Sequence, residues 1–239
     1  MRSVIVYVVL LGLKALSRTF YRHELRWIGS APDPRVWKQL RLIAFLNHTS
    51  LYEPLFAGSV PNSMLWRMAT KGLVPAAQKT TQRPLVGLLF KLVAKNVIPI
   101  TRERDQTWDL VLERMAGDSM VVILPEGRMK RRNGLDSQGQ PMTVRGGIAD
   151  ILEAIPSGPM LIAYSGGLHH VQAPGETLPA VWRTIRMNFE ILDVAAYRAA
   201  LIAQGGEFKA AVKADLERRR DSYCPSELAG RGAQREAVA

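Results

Sequence analysis

The stretch SMVVILPEGRMKRR, residues 119–132, decides how the rest of the chain is read. SMVVIL is a short, continuous apolar run, the pattern of a buried strand. It ends abruptly in Pro125, Glu126 and Gly127, and a basic loop follows with Arg128, Lys130, Arg131 and Arg132. The loop continues as NGLDSQGQPMT before GGIADILEAI, residues 146–155, resumes a helical pattern. A loop this long inside a compact domain is a frequent home of function. Gly127 permits close backbone approach to a ligand. Arg and Lys together suit phosphate, by bidentate contact and by point charge respectively. A solvated basic loop is the commoner fate of such a run.

Outward from this strand the pattern repeats. RLIAFL (41–46) reads as a buried strand ending at Asn47, and residues 52–59 read as helical, with Pro54 tolerated in the first turn. SMLWRMAT (63–70) reads as a strand leading to a loop at Lys71-Gly72. PLVGLLFKLVAK (84–95) has helical spacing, and NVIPI (96–100) is a short strand that Pro99 confines to an edge or terminus. Trp108, Val111, Leu112 and Met115 share one face of a helix over 105–117. MLIAYS (160–165) is a further apolar strand, and residues 206–221 form a charged helix. Strands alternating with helices predict an α/β domain with a central, mostly parallel sheet flanked by helices. In such sheets ligands bind beyond the carboxyl ends of the strands. His48, Arg102 and Glu126 each follow a strand, so all three are expected in one crevice.

His48 is one of four histidines, and Glu53 lies five residues on. The bland reading of NHTSLYEPL (47–55) is a solvated turn. The sharper one is a base and the carboxylate that orients it, with His48 just before a helix and Glu53 one turn inside it. A carboxylate on one imidazole nitrogen fixes the tautomer and raises the basicity of the other.

The chain has 239 residues, 47% of them hydrophobic, and a net charge of +11. That balance calls for an anionic partner: nucleic acid, a membrane surface or a phosphorylated substrate. No RNA-binding aromatic motif, zinc finger, helix-turn-helix or P-loop accompanies the charge, so nucleic acid is not expected. The single cysteine, Cys224, excludes an internal disulfide and fits a reducing compartment. No G-x-S-x-G elbow points to a serine esterase. His23, His169 and His170 lack the companions of a metal site, so no metal is expected.

The charge is concentrated at the N-terminus. Residues 1–46 hold eight Lys or Arg against two acids, net +6. The apolar run Val4–Leu13 is shorter than the roughly 20 residues that span a bilayer. Arg18, Arg22 and Arg26, spaced by four, would share one helix face. Residues 1–40 are therefore expected to form a basic, apolar segment that lies in a membrane interface and attracts anionic lipid. The α/β domain is expected over 41–222, with a flexible tail over 223–239. Trp66, Trp108 and Trp182 are expected in the core.

His48-(four residues)-Glu53, VIPITR ending in Arg102, and LPEG at 124–127 occur in the order and approximate spacing of the glycerolipid acyltransferase superfamily. The resemblance covers roughly residues 40–165, and the best-known branch of the superfamily is the 1-acylglycerol-3-phosphate acyltransferases. It implies transfer of a fatty acyl group to a lysophospholipid or similar lipid acceptor, in phospholipid synthesis. His48 would be the general base and Glu53 its orienter. Arg102 would bind acceptor phosphate, Glu126 and Gly127 would shape the acceptor site, and Arg128 or Lys130 would stand in for the arginine that usually ends the third block. The co-substrate would be acyl-CoA or acyl carrier protein, with no other cofactor, at the cytoplasmic face of the inner membrane. The chain departs from the family pattern in having Glu53 for the usual Asp, Asn96 for a Gly, and no proline in LIAYS. Two other classes stay open: an acyl-thioester hydrolase using the same site, and a non-catalytic basic protein that binds membranes.

Overall fold

The computed structural model describes residues 1–82, 84–101, 104–115, 117–176 and 178–228. The elements in order are α1 (Arg2–Phe20), β1 (Tyr21–Trp27), α2 (Val36–Gln39), β2 (Leu42–Leu46) and a 3-10 helix (Glu53–Ser59). Then come α3 (Asn62–Lys71), β3 (Gly72–Ala77), α4 (Gln78–Thr81), α5 (Pro84–Val93), β4 (Asn96–Ile100), α6 (Gln106–Arg114) and β5 (Met120–Ile123). The chain finishes with α7 (Gly147–Ala154), β6 (Pro159–Ser165), β7 (Arg183–Asp193), α8 (Val194–Ala203) and α9 (Phe208–Tyr223).

Seven strands form one sheet in the order β1-β7-β6-β2-β5-β3-β4. The five strands from β6 to β4 are parallel. β7 runs antiparallel to β6, and β1 runs parallel to β7. The central strands are apolar on both faces, as strands covered by helices on each side must be. In β2, Leu42, Ala44 and Leu46 face a core closed by α6, α7, α8 and α9, through Trp108, Ile151, Val194 and Leu216 among others. Ile43 and Phe45 face the opposite core, closed by α1, the 3-10 helix and α3 through Val6, Leu10, Phe56 and Leu65.

Several expectations change. SMLWRMAT is helical and lies in α3. Met64, Leu65, Met68 and Ala69 pack on one core at i, i+1, i+4 and i+5, a helical spacing, and the strand begins only at Gly72. Residues 166–205, where the sequence pass places no element, contain β7 and α8. Ile185, Met187 and Phe189 alternate with Arg186 and Asn188, a period-2 signal that marks β7 plainly. The segment 1–40 is not separate from the sheet, because β1 pairs with β7 along its full length. Arg18 lies in the last turn of α1, whereas Arg22 and Arg26 are on β1, where alternation and not helical spacing sets them on one exposed face. α1 itself has 19 residues and is long and apolar enough to cross a membrane by length and composition. The helix extends beyond the apolar run Val4–Leu13 at both ends. Trp108 is buried, but Trp66 and Trp182 are 47% and 70% exposed.

α1 is fastened to the 3-10 helix by three side chains. Lys14 Nζ donates to Val60 O (2.8 Å), Ser17 Oγ to Leu55 O (2.6 Å) and Arg18 Nε to Gly58 O (2.9 Å). His23 of β1 sits between Ser17 Oγ and Ser59 Oγ. A Cβ on Gly58 would lie 2.3 Å from His23 Nε2, so only glycine allows this approach.

Candidate active site

The carboxyl ends of the central strands β6, β2 and β5 meet at one place. β2 delivers Asn47 and His48, β5 delivers Glu126, and β6 delivers Ser165 and the segment to His169. The turn after β2 is buried, not solvated: Thr49 and Ser50 are fully enclosed. Leu168 N donates to Thr49 Oγ1 (2.8 Å), and Ser50 Oγ donates to Gln172 Oε1 (2.6 Å). The turn is thus latched to the segment after β6.

His48 Nδ1 contacts Glu53 Oε2 directly. Glu53 is the first residue of the 3-10 helix and not a residue one turn inside an α-helix. Its other oxygen accepts from Thr49 N (2.8 Å) and Ser50 N (3.4 Å). The extra methylene of Glu over Asp therefore lets one carboxylate bridge the imidazole and the turn that carries it. Among the described residues, no group hydrogen-bonds His48 Nε2. The side chain is 17% exposed. Burial works against the imidazolium, but Glu53 and then Glu126 outweigh it and hold the His48 pKa above its usual value.

Glu126 is buried at 1% exposure and works on the same turn from the other side. Its carboxylate accepts from His48 N (2.8 Å) and Asn47 N (3.2 Å). Asn47 has φ +65°, a left-handed conformation that asparagine tolerates better than most residues. Its side chain donates to Ser165 O (2.9 Å). Burial raises the Glu126 carboxyl above its usual pKa, against the pull of the His48 N–H and of Arg220. Gly127 has φ +61°, so its role begins with a backbone shape that a side chain would strain.

The basic loop is folded around its own carboxylates. Arg128 is engaged by Asp136, which is buried and also accepts from Gln138 N (2.7 Å) and Gln140 N (2.9 Å). The Gln140 N–H first, then Arg128, hold the Asp136 pKa at about 2. Lys130 Nζ lies 2.5 Å from Glu227 Oε1, and Arg132 lies 3.0 Å from Glu176. Glu227 Oε2 also faces His169 Nδ1 at 3.1 Å. Burial alone would raise the Glu227 carboxyl, but His169 and Lys130 overcome it and bring it to about 2. So residues 225–228, part of the expected tail, are built onto the loop. Of the two basic residues weighed for phosphate, Arg128 is turned inward and Lys130 is paired at the surface.

The structure thus unites His48, Glu53, Glu126 and Gly127, with Lys130 beside them: Lys130 N donates to His48 O (2.7 Å). Arg102 lies outside the described residues. The strand leading to it, β4, is three places from β2 in the sheet, about 14 Å at ordinary strand spacing. A cleft of about 440 Å³ opens behind Glu126, lined by Asn47, Lys130, Met142, Arg220 and Cys224 among others. Burial pushes the Cys224 thiol up to about 12, so it supplies no thiolate at neutral pH. Among the described residues, no group of three or more His, Cys, Asp and Glu side chains is placed to hold a metal. His170 Nε2 bonds Thr184 O (2.7 Å). Asp136, Arg220 and Glu227 had no part in the sequence reading. Asp136, eight residues after Arg128 in the same loop, was the one accessible by proximity.

Comparison with known proteins adds to this geometry. A family model described as Acyltransferase matches residues 32–164. The crystal structure of the 1-acyl-sn-glycerophosphate (LPA) acyltransferase PlsC from Thermotoga maritima superposes with a TM-score of 0.56 at 15% identity, over 90% of this chain and 78% of that one. At that identity the likeness is one of fold. No curated protein matches the chain.

Proposed function

Because the chain belongs to the acyltransferase family, we propose that it carries a fatty acyl group from acyl-CoA or acyl carrier protein to a hydroxyl of a lysophospholipid or similar lipid alcohol. The observation that carries this reading is the His48–Glu53 pair, with Nδ1 engaged and Nε2 left for a substrate. Nε2 takes the proton of the acceptor hydroxyl as its oxygen adds to the thioester carbonyl. The tetrahedral intermediate collapses to the ester and expels the thiolate, which takes the proton from the imidazolium. Glu53 holds the ring in the tautomer that leaves Nε2 unprotonated and stabilises the cation formed midway. No metal, bound cofactor or covalent enzyme intermediate is needed.

Glu126 and Gly127 form the wall of the acceptor site in this proposal. Arg102 and Lys130 are its candidates for a phosphate group, and Arg128 supports the loop through Asp136. The PlsC structure is titled an LPA acyltransferase, which makes lysophosphatidic acid the first acceptor to try. The exposed Val4, Ile5, Val8 and Leu16 of α1, with Trp66 of α3 against Tyr7, form an apolar surface suited to lipid. Arg22 and Arg26 provide charge for an anionic bilayer at the cytoplasmic face.

The test is thiol release from acyl-CoA and, separately, acyl carrier protein, by wild type and His48→Ala, with a panel of lysolipid acceptors. Acceptor-dependent release that falls by about 10²–10⁴-fold in the variant is the expected result. Acceptor-independent release would replace the transferase with a thioester hydrolase. Release unchanged in His48→Ala would remove His48 from the chemistry.

A further inference from the structure

We propose that Arg220 of α9, which lies beyond the stretch matched by the family model, is a positioning residue that holds the His48 turn through Glu126. Its Nη1 is 3.4 Å from Glu126 Oε1, an ion-pair distance, and donates to Met142 O at 2.9 Å. Its Nε donates to Asp221 at 2.8 Å. The guanidinium is thereby fixed at both ends, with the side chain 16% exposed.

Glu126 needs such a partner. It presents one carboxylate to two backbone N–H groups, at Asn47 and His48, in a buried setting that favours the neutral acid. Protonation would convert one acceptor oxygen into a donor facing an N–H. The turn holds a residue in left-handed conformation, so releasing either bond loosens the segment that aims the imidazole. Arg220 is the one cation in direct contact with Glu126 among the described residues. The other charged or titratable groups around it are His48 from the turn after β2, Asp221 of α9, Cys224 at its end, Lys130 of the loop and Glu227 beyond α9.

The rate consequence rests on His48 acting as the base, but the positioning itself can be read without any turnover. The His48 ring nitrogens are titrated by NMR in wild type, Arg220→Met, Arg220→Lys and Glu126→Gln. In Arg220→Met, a discharged Glu126 no longer supports the imidazolium, so the His48 titration moves to lower pH. Glu126→Gln gives the same downward shift, and Arg220→Met added to it gives no further fall. Arg220→Lys stays near wild type. If Arg220 were only a nearby cation, its removal would move the titration to higher pH, which overturns the proposal. So does a further fall in the double variant. Should Arg220→Met fail to fold, Arg220→Lys and Glu126→Gln still decide the matter: a shifted Lys variant, or an unshifted Gln variant, overturns it. With an active acceptor in hand, Arg220→Met lowers kcat, by up to about 10²-fold as for a misplaced catalytic group. Loss of that effect with the NMR shift intact would count against His48 as the base and leave the positioning standing.

Discussion

Two charged regions stand side by side at the carboxyl ends of the central strands, and they use carboxylates in opposite ways. Around His48, Glu53 and Glu126 arrange a turn and one imidazole, and leave Nε2 without a protein partner among the described residues. In the basic loop, Asp136, Glu227 and Glu176 take up the cations themselves. The first region orders a group and leaves one ring nitrogen available. The second neutralises its charge internally and thereby gives a long loop a shape. A high density of Arg and Lys in a loop is therefore a statement about potential ligands only after its acids have been placed.

The largest expected effect that sharpens this contrast is at Glu53. Glu53→Gln should lower kcat by about 10²-fold, the low end of what a positioned base supplies. It should also move the acid limb of the pH–rate profile to lower pH. The sign follows from the pair: Glu53 raises the His48 pKa, so its neutral replacement lowers it, and the unprotonated base persists to more acidic conditions. An unchanged acid limb would break the pairing of the two residues in function.

Asp136→Asn should act on stability and not on the chemical step, with a fall in Tm of about 2–4 °C at neutral pH. Asp136 has a depressed carboxyl at about 2, so its contribution is present above the ordinary carboxylate pKa and lost as pH falls toward 2. The difference in Tm between wild type and variant should therefore shrink with acidification, as calorimetry at several pH values would show. A large kcat loss with normal Tm would instead put Arg128 among the substrate contacts.

The smallest effect belongs to Glu227. Its contact with Lys130 is partly exposed, and pairs of that kind contribute little. Glu227→Gln should lower KM for a phosphorylated acceptor by less than about threefold, with kcat unchanged. A rise in KM would show that Lys130 needs Glu227 to hold it in place.

The sequence was legible where local pattern and chemistry coincide. β2, β4, β5 and β6 announce themselves as short apolar runs, and His48 and Glu126 fall just past the ends of such runs, with Glu53 opening the 3-10 helix after β2. α3 was not legible because its apolar residues are dense enough to satisfy either period, and only the packing of Met64 and Met68 on the same core as Leu65 and Ala69 separates them. β7 carried a readable alternation. Trp66 and Trp182 show the limit of expecting aromatics in the core, since both keep a large apolar surface outside. The partners of the site were beyond local reading. Arg220 is 94 residues from Glu126, and nothing in LERRRDSY distinguishes it from Arg218 or Arg219, which turn to Asp215 and Glu190.

The 3-10 helix Glu53–Ser59 has two employments. Its first residue holds the His48 imidazole, and the rest of it is bolted to α1 through Leu55, Gly58 and the adjoining Val60. In the proposed orientation, with α1 along a bilayer, that seven-residue element would act as a fixed spacer. The height of Nε2 above the lipid would be set by the anchor and not by a hinge. Lengthening the spacer would change which part of an embedded acceptor comes level with the base.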